Sequence, residues 1–234
     1  MKNIEVVVAP EITPNYEVEG KLVVIIDIFR ATTTIVTAMA NGVKEVKTCL
    51  EVEDCIALKK QGFIVGGERD GVKVDGMDVD NSPLSFLDGT YAHQKFAIST
   101  TNGTKAIDMS LKAKEIIIGT FANLSAINEY INLSDLDVLL VCAGWKGKMS
   151  TEDFMFAGAV IASLPEQYCS ADSADIAKSY FLKYVSNYKE KLDTCEHAFR
   201  LKKLGKQDNI DFCVQKDLYK IVPKYNTITK TFVL

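Results

Sequence analysis

The sequence predicts an α/β protein built on mostly parallel sheet, and three observations carry that expectation. Strand-sized apolar runs alternate with helix-sized segments along most of the 234 residues, the order that lays helices on the faces of a sheet. Runs such as 22–28 and 138–143 are apolar without alternation, as strands buried on both faces must be. With 47% hydrophobic and 25% charged residues, the chain has ample material for a core.

The elements follow in order. Residues 21–27 form a continuous apolar strand, and 31–41 a helix closed by Gly42, a residue suited to the backbone past a helix end. Residues 44–50 are a strand, 52–61 a helix closed by Gly62, and 63–67 a short strand. The polar stretch 68–81 lacks an apolar period and reads as a loop. Strands at 95–100, 115–119 and 137–143 then alternate with helices at 104–111 and 123–131. Residues 150–164 make a helix with Glu152 and Asp153 in its first turn, where the macrodipole favours acids. Residues 173–217 are helical and more polar, and 219–222 and 227–233 close the chain as strands.

The whole of 1–234 reads as one unit containing a repeat, over about 21–71 and 95–147. Each copy runs strand, threonine-rich turn, helix, then a Lys-Glu pair (Lys44-Glu45 and Lys114-Glu115) and a glycine-bearing turn. Duplication and chance likeness between two βαβ units both account for it.

Several functions are excluded. The net charge is −4 and no basic run occurs, so nucleic acid is not the partner. The apolar runs are too short to span a membrane, and the N-terminus lacks the pattern of a secretion signal, which points to the cytoplasm. The six cysteines form no C-x-x-C pair, so neither a zinc knuckle nor a disulfide framework is expected, only buried reduced thiols. His93 and His197 are the two histidines; both lie in polar surroundings and are expected at the surface, which removes a polyhistidine metal site. Lys148 stands where a cysteine phosphatase built on Cys142 needs arginine, and Asp78 and Asp80 do not end an apolar strand.

In a parallel sheet, functional groups sit beyond the carboxyl ends of strands. Four such loops, 27–34, 66–71, 99–104 and 142–153, hold most of the chemically pointed residues. Ser99, Thr100, Thr101, Asn102, Gly103 and Thr104 follow a strand and open a helix; hydroxyls and free N–H groups at a helix start suit an anion, although one cap would use one such residue. Asp27 ends an apolar strand, where a carboxylate needs a partner or a metal. Arg30 offers a fork for phosphate or sulfonate oxygens, or a structural pair for Asp27; Thr32, Thr33 and Thr34 follow it. Glu68, in Glu68-Arg69-Asp70, suits a hard cation such as Mg²⁺ or a solvated turn. Glu152 and Asp153 are adjacent on a helix, so only one of them faces a site squarely.

In their order along nearly the whole chain, these motifs resemble those of the 2-phosphosulfolactate phosphatases. The resemblance rests on residues 27–34, on Gly67-Glu68-Arg69, Asn81-Ser82-Pro83 and residues 99–104, on Cys142-Ala143-Gly144 with Glu152-Asp153 and Ala157-Gly158, and on Leu204-Gly205 with Asp211. It implies Mg²⁺-dependent hydrolysis of (2R)-phospho-3-sulfolactate to 3-sulfolactate and phosphate, a step toward coenzyme M. It also implies a three-layer α/β/α fold of two similar, intertwined halves related by a pseudo-dyad. On that reading Asp27, Glu68 and Asp153 hold Mg²⁺, with Glu152 in reserve. Arg30, Thr32 and the 99–104 turn bind phosphoryl and sulfonate oxygens, and Asp27 or Asp153 moves the proton. Attack by water or by a side chain remains open. Two further readings are a phosphatase for another small phosphorylated carboxylic acid and a non-catalytic anion-binding protein. The 173–217 helices are expected to cover the site or to form a homodimer contact.

Overall fold

The computed structural model describes residues 2–69, 71–165 and 168–234; of the positions singled out above, Asp70 and the side chain of Cys169 lie outside it. The chain opens with β1 (Lys2–Val7) and β2 (Leu22–Ile26), then α1 (Ala31–Ala40), β3 (Glu45–Cys49), α2 (Val52–Ala57), β4 (Phe63–Arg69) and the short β5 (Val72–Lys73). A second run follows: β6 (Lys95–Ser99), α3 (Thr101–Asp108), β7 (Glu115–Gly119), α4 (Leu124–Leu133), β8 (Val138–Cys142) and α5 (Thr151–Ser163). After β9 (Tyr168–Ser170) come α6 (Asp172–Tyr184), α7 (Tyr188–Asp193), α8 (Glu196–Lys203) and α9 (Gln207–Cys213), and a hairpin of β10 (Lys224–Asn226) and β11 (Thr231–Val233) ends the chain.

The strands order as β5-β4-β6-β3-β11-β10-β7-β2-β8-β1-β9. β2 is paired in parallel with β7 on one side and β8 on the other. β6 is paired in parallel with β3 and β4. The strand opening each run thus lies between the two later strands of the other. The β10–β11 hairpin bridges the two parallel blocks, meeting β7 at Lys224–Ile117 and β3 at Phe232–Val46.

Burial on both faces explains the unbroken apolar runs. Along β2, Val24 and Ile26 face a cluster with Met155, Phe156 and Val160 of α5. Val23 and Ile25 face the opposite way, toward Ile35, Val36 and Met39 of α1 and Ile107 of α3. A polar side chain anywhere along this strand would be desolvated without a partner. The result is an α/β architecture, a large mostly parallel sheet flanked by helices in three layers. Among the described residues no helix is long and apolar enough to cross a membrane.

Several boundaries differ from expectation, and the expected strand 227–233 is instead the 227–230 turn of the final hairpin followed by β11. α3 begins at Thr101, because Thr100 is extended at the cap and the hydroxyl-bearing residues after it build the first helical turn. β4 continues through Arg69, because Glu68 and Arg69 pair with Lys73 and Val72. Residues 219–222 form no strand. Their backbone is tied instead to the turn after β7, through Tyr219 N–H to the Ala122 carbonyl and the Asn123 amide to the Ile221 carbonyl.

α5 and α6 cross in close contact at Gly158, where a Cβ would collide with the Ala177 carbonyl and lie 2.9 Å from the Phe181 Cβ. Backbone there cannot yield as a flexible side chain would, so Gly158→Ala must push the helices apart. A melting temperature several degrees lower is expected by circular dichroism, and an unchanged melt would show that the crossing tolerates the methyl.

Candidate active site

A cavity of about 220 Å³ opens where the carboxyl ends of β2, β4, β6 and β8 meet. The β2 end contributes Asp27, Phe29 and Arg30, and the β4 end Glu68 and Arg69. Thr100, Thr101 and Asn102 come from the β6 end, and Trp145 and Lys146 from the β8 end. Asn81 completes the wall, and α8 reaches over with His197 and Arg200. The four loops picked from the sequence therefore line one space. Their approach is tight: at Gly103 a Cβ would sit 3.2 Å from Asp27 Oδ2.

The threonine-rich turns divide into structural and cavity-facing parts. Thr32 is buried, and its hydroxyl donates to the Asp27 carbonyl at 2.8 Å while the Asp27 N–H donates to it at 3.0 Å. It therefore shapes the Asp27 turn from behind the wall and does not line the cavity. Thr33 bonds to the Ile28 carbonyl and to the Thr120 hydroxyl. In the second turn, Thr104 donates to the Cys49 carbonyl, and buried Ser99 accepts from Arg69 at 3.1 Å. Among the described residues no side chain caps α3, so its first-turn N–H groups, which have no partner inside a helix, remain beside Thr100, Thr101 and Asn102 at the cavity wall.

Arg30 is wholly enclosed. One guanidinium nitrogen donates to Asn209 Oδ1 at 2.9 Å, the other pairs with Glu68, and Asp80 lies 3.7 Å away. Glu68 is thus engaged by Arg30 and does not stand free for a cation. The alternative reading of Arg30 as a structural partner for Asp27 gives way to an Arg30–Glu68 pair, which ties the β2 turn to the β4 turn. Asp153 is enclosed too. Its Oδ1 accepts the Ile28 N–H at 2.8 Å and its Oδ2 the Gly144 N–H at 3.0 Å. Asn102 donates to the Gly144 carbonyl at 3.1 Å, adding the third turn to the same network.

Asp27, Glu152 and Asp153 lie close together behind and along the cavity wall. Burial, then the neighbouring Glu152 and Asp27, push the Asp153 carboxyl well above the usual range. Asp27 is raised to about 6, chiefly by burial, against the opposing pull of His197, the Ala31 N–H and Arg30. Buried carboxylates short of positive charge are hard oxygen donors suited to Mg²⁺, which uses one or two carboxylates and keeps water and phosphate oxygens in its shell. Among the described residues no three His, Cys, Asp or Glu side chains form a ready cage for an ion. The residues fit a cation held through Asp27, since Glu68, the other acid at the wall, is paired with Arg30, and do not fit a closed cage of Asp27, Glu68, Glu152 and Asp153.

Two residues expected elsewhere matter here. His93 is exposed, as its polar surroundings suggested, but His197 is not a surface residue. It lines the cavity with Nδ1 2.8 Å from Glu152 Oε1. Arg200 sits three positions on, and a histidine and an arginine at that spacing share one helix face, a signal present in the sequence. Asn81, whose Oδ1 is buried without a partner among the described residues, lay in a recognised motif but not among the expected site residues. The cysteines with described side chains are free and buried as expected, and burial holds the Cys142 thiol far above its ordinary value.

Fold and site define an α/β enzyme whose cavity receives a small, multiply charged anion. A family model described as 2-phosphosulpholactate phosphatase matches residues 7–227. A Thermotoga maritima protein named probable 2-phosphosulfolactate phosphatase is 40% identical over 221 residues, covering 94% of both chains. Proteins of the same name from Caldanaerobacter subterraneus and Clostridium novyi are 39% identical over 92% of each chain, and 35% identical over 97% of this chain and 99% of theirs. The chain belongs to the 2-phosphosulfolactate phosphatase family, a family of phosphoric monoester hydrolases.

The raised Asp27 sets a pH dependence. An acid whose folded value is raised binds its proton more tightly in the fold, so stability falls as pH climbs from about 4 through 6. Full desolvation would correspond to about 3 kcal/mol at neutral pH, and water in the cavity reduces this to about 1–2 kcal/mol. Asp27→Asn in divalent-free buffer at pH 8 should therefore melt several degrees above wild type, the gap narrowing below pH 5. A lower melting temperature at pH 8 would refute the assigned desolvation.

Proposed function

We propose that this chain hydrolyses (2R)-phospho-3-sulfolactate to 3-sulfolactate and phosphate, and that it does so with Mg²⁺. The observation that carries the reading is one small cavity that sets the Asp27 carboxylate, with Glu68 drawn onto Arg30 beside it, against a helix start and a rim of Arg69, Lys146 and Arg200. The first-turn N–H groups of α3 and the hydroxyls of Thr100 and Thr101 receive phosphoryl oxygens, where negative charge grows in the transition state. The rim cations receive the sulfonate and carboxylate of the substrate. Bound through Asp27, Mg²⁺ would polarise the phosphoryl group and lower the pKa of a bound water. Asp27 Oδ2 can take a proton from an attacking water, since Oδ1 already accepts the Ala31 N–H. Arg30 and Glu68 tie the β2 and β4 turns together at this wall. The reading extends to a place on the sulfolactate route to coenzyme M.

The test is phosphate release from phosphosulfolactate, with and without Mg²⁺ and beside a panel of phosphoglycerate-type acids. Preferred release from phosphosulfolactate that chelation abolishes is expected, and Asp27→Asn should lower kcat by at least ~100-fold. Faster release from phosphoglycerate-type acids would reassign the substrate, and a near-normal kcat in the variant would remove Asp27 from the chemistry.

A further inference from the structure

We propose that His197 is a catalytic residue which donates a proton from Nε2 to the bridging oxygen of the leaving alcohol. The geometry that points to it is a ring fixed on three sides. Its Nδ1 is hydrogen-bonded at 2.8 Å to Glu152 Oε1, and the Glu152 side chain is only 2% exposed. The Trp145 ring stacks on it with centroids 6.0 Å apart and planes at 24°, and Phe29 meets it edge-on at 81°. A histidine whose Nδ1 is held by a buried carboxylate has its proton placement and orientation set, so that Nε2, on the far side of the ring, is the working nitrogen. Since His197 lines the cavity shared with Asp27 and the α3 start, Nε2 addresses the space where substrate sits. Glu152 is then a positioning residue, buried for that reason in the first turn of α5.

The step balances without a further reactant. A water oxygen bonds to phosphorus and its proton passes to Asp27. The bond between phosphorus and the bridging oxygen breaks, the electron pair stays on that oxygen, and the His197 proton joins it to give the free alcohol. Exchange with solvent then returns a proton to His197 and removes one from Asp27. Such assistance matters most when the leaving alkoxide is basic, and contributes on the order of 10²–10⁴-fold.

The inference rests on the phosphatase reading, and leaving-group dependence separates the two. The full chain, His197→Asn, His197→Gln and Glu152→Gln would be assayed on an alkyl phosphate substrate and on p-nitrophenyl phosphate, whose phenolate departs with little proton help. His197→Asn can keep the Glu152 contact and His197→Gln a donor near the Nε2 position, so the pair guards against loss of fold, checked by thermal melting. Both should lose ~100-fold or more in kcat on the alkyl phosphate and less than ~10-fold on the aryl phosphate, and Glu152→Gln should show a smaller loss with the same bias. Equal losses on both substrates, or an active His197→Asn, would make His197 a structural prop and overturn the proposal. A wild-type protein that hydrolyses neither substrate nor phosphosulfolactate would remove the phosphatase reading and this inference together.

Discussion

The site depends on one carboxylate that never reaches it. Asp153 accepts the Ile28 N–H with one oxygen and the Gly144 N–H with the other, binding the turn after β2 to the turn after β8. Gly144 passes the connection to the β6 turn through Asn102, and Arg30 passes it to the β4 turn through Glu68. Four loops from strands far apart in sequence are thereby held in one register. The low dielectric of such an enclosed setting strengthens these hydrogen bonds and makes every unpaired neighbour costly. Asn81 Oδ1 is buried at this wall without a partner among the described residues, an acceptor that calls for one.

The same enclosure explains the electrostatics. Burial and neighbouring acids raise both Asp27 and Asp153, and Arg30 pulls Asp27 the other way. Families of phosphate-handling sites meet this situation with a metal ion or with positively charged donors, because the substrate brings still more negative charge. In this chain the acids Asp27 and Glu68 share the cavity wall with Arg30, Arg69, Lys146 and Arg200. On the proposed reading, Lys146 and Arg200 would draw an anionic substrate toward the α3 start.

Most of the fold was legible in the sequence because burial on both sheet faces imposes unbroken apolar runs, as in 22–26 and 138–142. The four loops were legible for a related reason: polar residues directly after such runs have no role in the core. The division of labour among them was not. Thr32 and Thr101 are chemically alike, yet one closes a hydrogen-bonded turn behind the wall and the other lines the cavity, a difference set by helix phase. Arg30 and Asp27, three positions apart, looked like a pair, and only the sheet order brings Glu68 nearer to the arginine. His197 escaped because its helix reads as charged and solvent-facing, with Glu196, Arg200, Lys202 and Lys203 around it. Its partner Glu152 lies 45 positions earlier, beyond the reach of any local pattern.

The chain contains one tryptophan, and it is Trp145. The indole stacks on His197 while Lys146 and Arg200 approach its face at 4.8 and 5.5 Å. Its near-ultraviolet emission therefore originates at the mouth of the cavity and nowhere else in the protein. Any event that moves the imidazole or redistributes those cations is written into a single optical signal, so the molecule carries its own label for ligand entry and departure.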